Sequence, residues 1–504
     1  MTDLIQNLSV GLHSALTLIN LGYCFLGVLI GTLVGILPGL GPVATLALLL
    51  PITYALDPTA AIIMLAGIYY GSQYGGSTTA ILMNIPGEAS ALVTCIDGHK
   101  IAQKGYAGSA LGVAAIGSFI AGSVATLLIA MASPLLAQVA LYFGAVEYFS
   151  LMLLGLVGAV VLANGDILKA FAMVILGLLL GIIGTDVNSG TLRFTFNTLT
   201  LQDGIDFVVI SMGIYGVAEI LKNLQAMVAN PNIQTHEVKS PWPKMSHLKA
   251  SVGAIIRGTG LGSLLGILPG GGALLASFAA YTFEKKIRLA PSEIPVGQGN
   301  IRAVAGPESA NNAGAQTSFI PMLTLGVPSN AVMALMMGAL IIHNITPGPQ
   351  VISTNPDLFW GLIVSMWVGN LFLVILNLPL VGLWVQILRI PYRWLYPAIL
   401  AVCVIGVYSV NFNVYDIAIM VIFAGLGYAF YQLRFEPAPL ILGFVLGPLM
   451  EENLRRALLL SRGDPTVLVT SPISACLLTI ALILLVATCI PKIRSARDEA
   501  FIED

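Results

Sequence analysis

The chain has 504 residues, of which 57% are hydrophobic and only 9% charged, and its mean hydropathy is +0.91. Soluble domains carry roughly 25% charged residues, so this composition argues against a soluble enzyme and for an all-α polytopic membrane protein. The formal net charge of −2 implies no nucleic-acid partner and no broad field steering anions.

Apolar segments lie at roughly 14–37, 43–56, 59–83, 107–133, 146–163, 167–184, 205–223 and 252–268. They continue at about 273–283, 303–325, 329–345, 358–388, 393–410, 413–431, 436–450 and 468–490. No Lys or Arg precedes Lys100, so the charged start of a cleaved signal is missing and the first segment is expected to be retained. A spanning helix needs about 20 residues, and several segments are shorter.

The first segment ends in Gly35-Ile36-Leu37-Pro38-Gly39, continued by Leu40-Gly41-Pro42, and the same pentapeptide returns at Gly266–Gly270, continued by Gly271-Gly272. Gly and Pro interrupt helices. In lipid the freed backbone groups persist only where protein or a polar cavity satisfies them. Matched breaks in two halves of a membrane chain point to a transporter's binding site. Around the second copy, Arg257 and Glu284 bracket 26 uncharged residues. Gly258–Leu268 and Ala273–Phe283 would each be about 16 Å long, too short for a ~30 Å hydrocarbon core. A re-entrant hairpin, or two half-helices meeting near the midplane, is therefore expected at 35–42 and at 266–272.

Each copy is followed by a polar stretch: Gly71–Thr79 leading to Asn84-Ile85-Pro86-Gly87-Glu88, and Gly306–Ser318 leading to Gly326-Val327-Pro328-Ser329-Asn330. Thr78 and Thr79 pair with Thr317 and Ser318, and Pro86 with Pro328. This predicts two repeats, residues 1–225 and 251–490, with second breaks at 71–88 and 306–330. A hydrophilic linker, 226–250, lies between them, and a basic then acidic tail, 491–504, follows. The basic stretches at Lys100–Lys104, in the linker, at Glu284–Arg302 and in the tail are expected on the cytoplasmic side.

Hydroxyls and amides with unwound carbonyls are hard neutral oxygen donors that suit Na⁺. Thr78, Thr79, Asn84, Glu308, Gln316, Thr317 and Ser318 are the expected cation ligands. N–H groups freed at glycine-rich tips suit anions. Pro38, Gly39, Gly41, Gly75, Gly76, Ser77, Pro269, Gly270, Gly271, Asn311 and Asn312 are thus the expected substrate-binding residues. Any one of these glycines could instead serve close helix packing. Glu308 could ligate a cation or carry a proton, or could sit in a first helical turn after Pro307. Glu147, Asp166, Glu219 and Asp416 are read as caps or interface markers. The five cysteines and five histidines show no ligand spacing, and no cofactor is expected. There is no HExxH, GxSxG or Walker A, so an enzyme is not indicated. An anion channel remains as a second class of function.

The stretches Gly31–Thr45 and Gly67–Glu88, with Gly266–Gly272, resemble the large membrane subunit (TctA type) of the tripartite tricarboxylate transporters, and the similarity runs over nearly the whole chain. The resemblance implies about twelve transmembrane segments and an elevator-type secondary transporter in a bacterial inner membrane. It implies cation-coupled import of citrate-like tricarboxylates, or of dicarboxylates or aromatic acids. The implied partners are a small membrane subunit of about four spans and a periplasmic solute-binding protein.

Overall fold

The computed structural model describes residues 2–37, 40–140, 142–163, 166–186, 189–229, 238, 242–268, 272–288, 293–387 and 392–488. The first half carries α1 (Thr2–Ala15), α2 (Leu18–Gly35), α3 (Pro42–Thr53), α4 (Pro58–Met83), α5 (Leu92–Ile101), α6 (Ala107–Ala140), α7 (Ala145–Leu162) and α8 (Ile167–Gly181). A short ladder pairs β1 (Gly184–Thr185) with β2 (Leu192–Arg193), and α9 (Phe207–Ser211) and α10 (Ala218–Ala229) follow. The second half opens with α11 (Met245–Leu265), α12 (Gly272–Lys286), α13 (Arg302–Thr317), α14 (Phe319–Leu325), α15 (Ala331–Ile342), α16 (Val351–Thr354) and α17 (Pro356–Asn377). It closes with α18 (Val381–Ile387), α19 (Tyr392–Asn411), α20 (Val414–Gln432), α21 (Ala438–Leu460), α22 (Val467–Thr470) and α23 (Pro472–Thr488).

Among the described residues, five helical stretches are long and apolar enough to cross a bilayer: Leu18–Gly35, Ala89–Leu136, Phe207–Gln225, Pro356–Asn377 and Val414–Gln432. Six shorter apolar helices accompany them. The longest stretch is not one rod, because Gly105, at φ 81°, turns the chain between α5 and α6. The chain is a multi-pass, all-helical membrane protein.

Two helices stand at its centre. Every residue of α4 from Ala60 to Met83 is buried, as is every residue of α13. Gly, Ser and Thr with Gln73 mark α4, and Asn311, Asn312, Gln316 and Glu308 mark α13; the amides and the carboxylate are costly against lipid, so the apolar helices sheathe them. Small residues set how closely the sheath approaches. A Cβ at Gly27, Gly31 or Gly35 of α2 would lie 2.3 Å from the carbonyl oxygen of Met64, Ile68 or Ser72 on α4. On α11 and its C-cap, a Cβ at Gly258, Gly262 or Gly266 would lie 2.2, 2.3 or 2.4 Å from the carbonyl oxygen of Gly306, Ala310 or Gly314 on α13. Both pairs run parallel, backbone against backbone, the packing that small residues four apart permit in membranes.

The charges that bracket the second glycine motif meet. Arg257 Nε donates to Glu284 Oε1 at 2.8 Å and Arg257 Nη2 to Glu284 Oε2 at 3.0 Å, so the chain doubles back between α11 and α12. The helices are longer than the bracketed run suggested. The first of the pair, α11, begins at Met245 and is about 31 Å long at 1.5 Å per residue, because Ala254, Ile255 and Ser251 pack before Arg257 is reached. The tip residues Pro38, Gly39, Pro269, Gly270 and Gly271 lie outside the described residues.

The polar stretches are also more helical than expected. Through Gly71–Thr79 α4 runs unbroken, and the chain departs from the helix only at Asn84, in the left-handed region at φ 57°. After α13, Ser318 leads directly into α14, which stops at Gly326, also left-handed at φ 67°. The expected unwound carbonyls at Ser77–Thr79 and Thr317–Ser318 are therefore absent. Each of these side chains except Ser77 hydrogen-bonds only toward a backbone carbonyl or a neighbouring hydroxyl or amide, an arrangement helices accept at little cost. Pro307 sits inside α13, so Glu308 is an interior residue and not a first-turn one.

Three basic stretches expected on one side of the membrane converge. Lys100 Nζ and Lys104 Nζ donate to the carbonyls of Gly297 and Gln298 at 2.6 and 2.7 Å, and the Lys244 N–H donates to Ser109 Oγ at 3.0 Å. Asp97, fully buried, accepts from the backbone N–H groups of Gly297, Gly299 and Asn300 and from Tyr281 Oη. The loop before α13 is thereby pinned to α5. Of the carboxylates read as caps or interface markers, Glu147 accepts from Gly144 N and Asp166 from Leu168 N at helix starts, whereas Asp416 accepts from the Asn411 side chain and the cap of α20 is Asn413. Glu219 pairs with Lys222 at 3.0 Å.

Candidate functional site

Three polar groupings form around α4 and α13. The first joins the end of the α2–α3 turn to the break after α4. A Cβ at Gly87 would meet Gly76 Cα at 2.3 Å, Thr79 Oγ1 at 3.0 Å and Gly35 O at 3.1 Å, and one at Gly41 would lie 3.5 Å from Gly87 O. The absence of side chains at Gly76 and Gly87 is what lets the break lie on α4. Gly41 is the N-cap of α3, with Pro42 following, so N–H groups of that helix's first turn open onto this place. Glu88, partly exposed, ends the break.

The second grouping repeats the arrangement on α13. Ser318 Oγ donates to Gly314 O at 2.7 Å, accepts from Asn330 Nδ2 at 3.2 Å, and its carbonyl accepts from Ser329 Oγ at 3.2 Å. A Cβ at Gly272 (φ 34°) would meet Asn330 Nδ2 at 2.9 Å and Ser318 Oγ at 3.2 Å. Thr317 Oγ1 donates to Ala313 O at 3.0 Å and fills the space left by Gly266. Packing positions therefore match Gly76 with Ser318, Gly87 with Ser329 and Glu88 with Asn330, three residues away from the sequence pairing of Thr78 and Thr79 with Thr317 and Ser318. The sequence alignment followed hydroxyls, whereas the packing follows helix register.

The third grouping bridges the two helices. Glu308, 1% exposed, accepts from Ser77 Oγ at 2.6 Å and from Thr94 Oγ1 of α5 at 2.5 Å. Asn311 Nδ2 donates to Glu88 Oε1 at 2.6 Å, and its Oδ1 accepts from Gln73 Nε2 at 3.4 Å. Asn312 turns the other way, donating to Ser118 Oγ of α6 at 2.7 Å. Beside Glu308 lies a cavity of about 20 Å³ lined by Tyr74, Ser77, Thr78, Ser118, Glu308 and Asn377, with Leu111, Ala114 and Ala115. Thr78 Oγ1 spends its proton on Tyr74 O at 3.1 Å, and Asn377 Nδ2 on Leu373 O, which leaves Asn377 Oδ1 without a partner. Lone pairs of both remain for a ligand. Neither Glu88 nor Glu308 takes part in an ion pair among the described residues. No cluster of three His, Cys, Asp or Glu side chains suited to a transition metal occurs among them either.

The expected site residues are thus divided. Ser77, Thr78, Glu308, Asn311 and Asn312 come together in the bridge. Gly41, Gly76 and Thr79 form the first tip site, and Thr317 and Ser318 belong to the second. Gly75 is a packing residue: its Cβ would strike Gly35 C and Ile36 N at 2.6 Å. Gln316 faces α6, 3.4 Å from Thr126 Oγ1. Asn84 is exposed and serves as the left-handed stop of α4, away from the bridge. Sequence reasoning missed Gln73, Glu88, Thr94, Ser118, Ser329, Asn330 and Asn377. Glu88 and Asn330 carried a signal, since each follows its Pro-small turn at the same distance; Ser118 and Asn377 carried none.

A multi-pass helical protein whose two central helices hide polar side chains and a carboxylate, Glu308, with no ion-pair partner among the described residues has the build of a solute transporter. The model of the Tripartite tricarboxylate transporter TctA family matches residues 21–442, and the chain belongs to that family. It is 56% identical over its full 504 residues, and over the full length of the relative, to the uncharacterised 52.8 kDa protein in the TAR-I ttuC' 3'region of Agrobacterium vitis. It is 59% identical over 243 residues, 48% of this chain and all of the relative, to an uncharacterised protein in the TAR-II ttuC' 3'region of the same organism. No solved structure matches. The family is one of transporters, not of enzymes, and membership implies a tripartite system with partner subunits and a binding protein.

Proposed function

We propose that the chain is the large transmembrane subunit of a binding-protein-dependent importer in a bacterial inner membrane, driving tricarboxylates such as citrate, or related carboxylates, inward with a coupling cation, Na⁺. The observation that carries this reading is the oxygen-lined cavity beside Glu308. A carboxylate held in the protein interior with hydroxyl donors but no basic partner is costly unless a cation shares its place. The hydroxyls of Ser77, Thr78 and Ser118, the amide oxygen of Asn377 and the carboxylate of Glu308 are the hard donors a small alkali cation prefers.

The substrate carboxylates fit the two tip sites, where the starts of α3 and α12 offer first-turn N–H groups. The neutral Asn330 site is the better host for an anion, and the Glu88 site for an anion accompanied by its cation. The bond from Asn311 to Glu88 ties the first tip to the helix bearing Glu308, a physical route for coupling between cation and substrate. Two repeats, each a glycine turn plus a break on a central helix, are consistent with about twelve spans and an elevator-type movement. A small membrane subunit of about four spans and a periplasmic binding protein complete the system.

Ser118→Ala and Asn377→Ala test the cavity. Each removes one neutral oxygen and leaves the tips intact. Both should raise the Na⁺ concentration for half-maximal uptake while the maximal rate at saturating Na⁺ holds. An unchanged Na⁺ requirement in both would remove the cation from this cavity.

A further inference from the structure

The end of the molecule where the basic stretches gather carries more positive charge than it balances. Asp97 spends its oxygens on backbone N–H groups and on Tyr281, and Glu284 and Glu293 are matched by Arg257 and Arg302. Lys100, Lys104 and Lys244 are left over, and none of them enters an ion pair among the described residues. The first two donate to carbonyls, and Lys244 Nζ lies 4.1 Å from the Tyr106 ring centroid. Beside them is a pocket of about 220 Å³ between the α5–α6 turn, the start of α11 and the loop before α13. Ile101, Tyr106, Ala250, Ile294 and Ile301 form its apolar walls, and Lys104 and the Arg302–Glu293 pair also line it. The pocket is open, with Tyr106 40% and Ile294 44% exposed. Apolar walls beside unbalanced lysines suit an acidic ligand with an apolar centre.

The chain itself holds such a segment. Residues 489–504 lie outside the described residues; their sequence is basic at Lys492, Arg494 and Arg497 and then changes sign. Asp498–Asp504 holds four acids, no base and, at its centre, Phe501-Ile502. The preceding helix delivers this tail to the pocket's side. The pocket lies at the start of α6, whose far end leads into α7, so α7 returns toward the pocket's side. Parallel to α7 runs α23, since Glu147 bonds Ser471 and, three residues on in both segments, Ser150 Oγ lies 2.6 Å from Ser474 Oγ. Phe501 is thirteen residues beyond Thr488, the end of α23, a reach of up to about 45 Å. Packed helix axes are about 8–10 Å apart, so the tail can cross several helices.

We propose that the C-terminal tail of this chain docks in the pocket, with Phe501 and Ile502 against the apolar walls and the flanking acids on Lys100, Lys104 and Lys244. Opposite charge selects the acidic half of the tail over the basic half. Burial of Phe501 supplies most of the affinity, because exposed ion pairs contribute little. Docked there, the tail touches the α5–α6 turn, α11 and the loop before α13 together, and so braces the base of the α11–α12 hairpin.

The test uses the purified full chain and a chain lacking residues 498–504, both in phosphatidylcholine nanodiscs, with a fluorescent peptide of sequence SARDEAFIED. Fluorescence anisotropy should show binding to the shortened chain. Binding to the full chain should be at least about tenfold weaker, because its own tail fills the pocket at the high local concentration of a tethered segment. Phe501→Ala in the peptide should weaken binding at least about tenfold, and Lys104→Gln combined with Lys244→Gln in the shortened chain about fivefold. In a full chain freed of its native cysteines, Phe501→Cys should form a disulfide with Ala250→Cys but not with Val252→Cys. Val252 is 50% exposed and lies on the opposite face of α11 from Ala250. Absence of binding to the shortened chain, equal binding to both chains, or equal disulfide formation at 250 and 252 overturns the proposal. So does binding that Phe501→Ala leaves intact, which would mark mere attraction to a basic surface. Binding that is abolished when phosphatidylglycerol replaces phosphatidylcholine overturns it in favour of lipid headgroups as the occupant.

Discussion

Glu308 is where charge, burial and position coincide. Two hydroxyl donors, Ser77 and Thr94, hold its oxygens at 2.6 and 2.5 Å, and a hydrogen bond to a charged group contributes about 1.5–3 kcal/mol. Glu308→Gln keeps the shape and one acceptor oxygen but removes the charge that a cation would balance. Folded, membrane-inserted protein should persist, and uptake should fall by at least about tenfold, the equivalent of about 1.4 kcal/mol. Glu88→Gln should lower substrate affinity more than it alters the Na⁺ dependence, because Glu88 stands at the tip rather than at the cavity. Transport assays with both variants check the division of labour; identical effects on cation and substrate dependence would erase it. Glu308 was legible in the sequence because it is the single charged residue between Arg302 and Asp357. Asn377 and Ser118 were not, since each is an ordinary polar residue of a helix remote in sequence, brought to Glu308 only by packing.

At the scale of elements, the glycines divide into those that pack and those that shape a turn. Gly262 of α11 faces Ala310 O at 2.3 Å and Ala313 Cβ at 2.8 Å, while Gly260, two residues earlier, faces nothing within 4 Å. Gly262→Val should therefore force α11 away from α13, costing about 1–3 kcal/mol or more as overpacked sites do, whereas Gly260→Ala should be neutral. Thermal unfolding of the two purified variants checks this; equal stability would mean that the two helices do not pack through these glycines. That the chain reverses between Arg257 and Glu284 was legible from the Gly- and Pro-rich run between them, and their ion pair sets α11 beside α12. The lengths were not: α11 continues well before Arg257 because apolar packing, not charge, decides where a helix begins. The polar stretches misled in the opposite sense. Glycine and hydroxyl residues suggested unwinding at 71–79, yet α4 stays helical there because α2 shields it and the hydroxyls are satisfied by carbonyls one turn back.

For the whole molecule, composition alone gave the class, since 9% charged residues over such a length leave little besides a helical membrane protein. Which helices occupy the centre was not legible from hydropathy, because α4 and α13, the two most deeply buried, are among the more polar. They are buried for that reason: the protein, and not lipid, must answer their side chains. On the proposed function, cation entry into the Glu308 cavity and carboxylate capture at the tips would stabilise one another, with reciprocal coupling.

The most direct measurement is uptake of radiolabelled citrate and of a dicarboxylate into proteoliposomes holding this chain, its small membrane subunit and the binding protein. Membrane potential is fixed, and Na⁺ and pH gradients are imposed separately. The account predicts accumulation above the external concentration with an inward Na⁺ gradient alone, dependent on the binding protein and lost in Glu308→Gln. Accumulation driven by a pH gradient without Na⁺ would assign the coupling to protons at Glu308. Flux that only equalises the two sides, whatever the gradients, would contradict coupled transport and make the chain a channel.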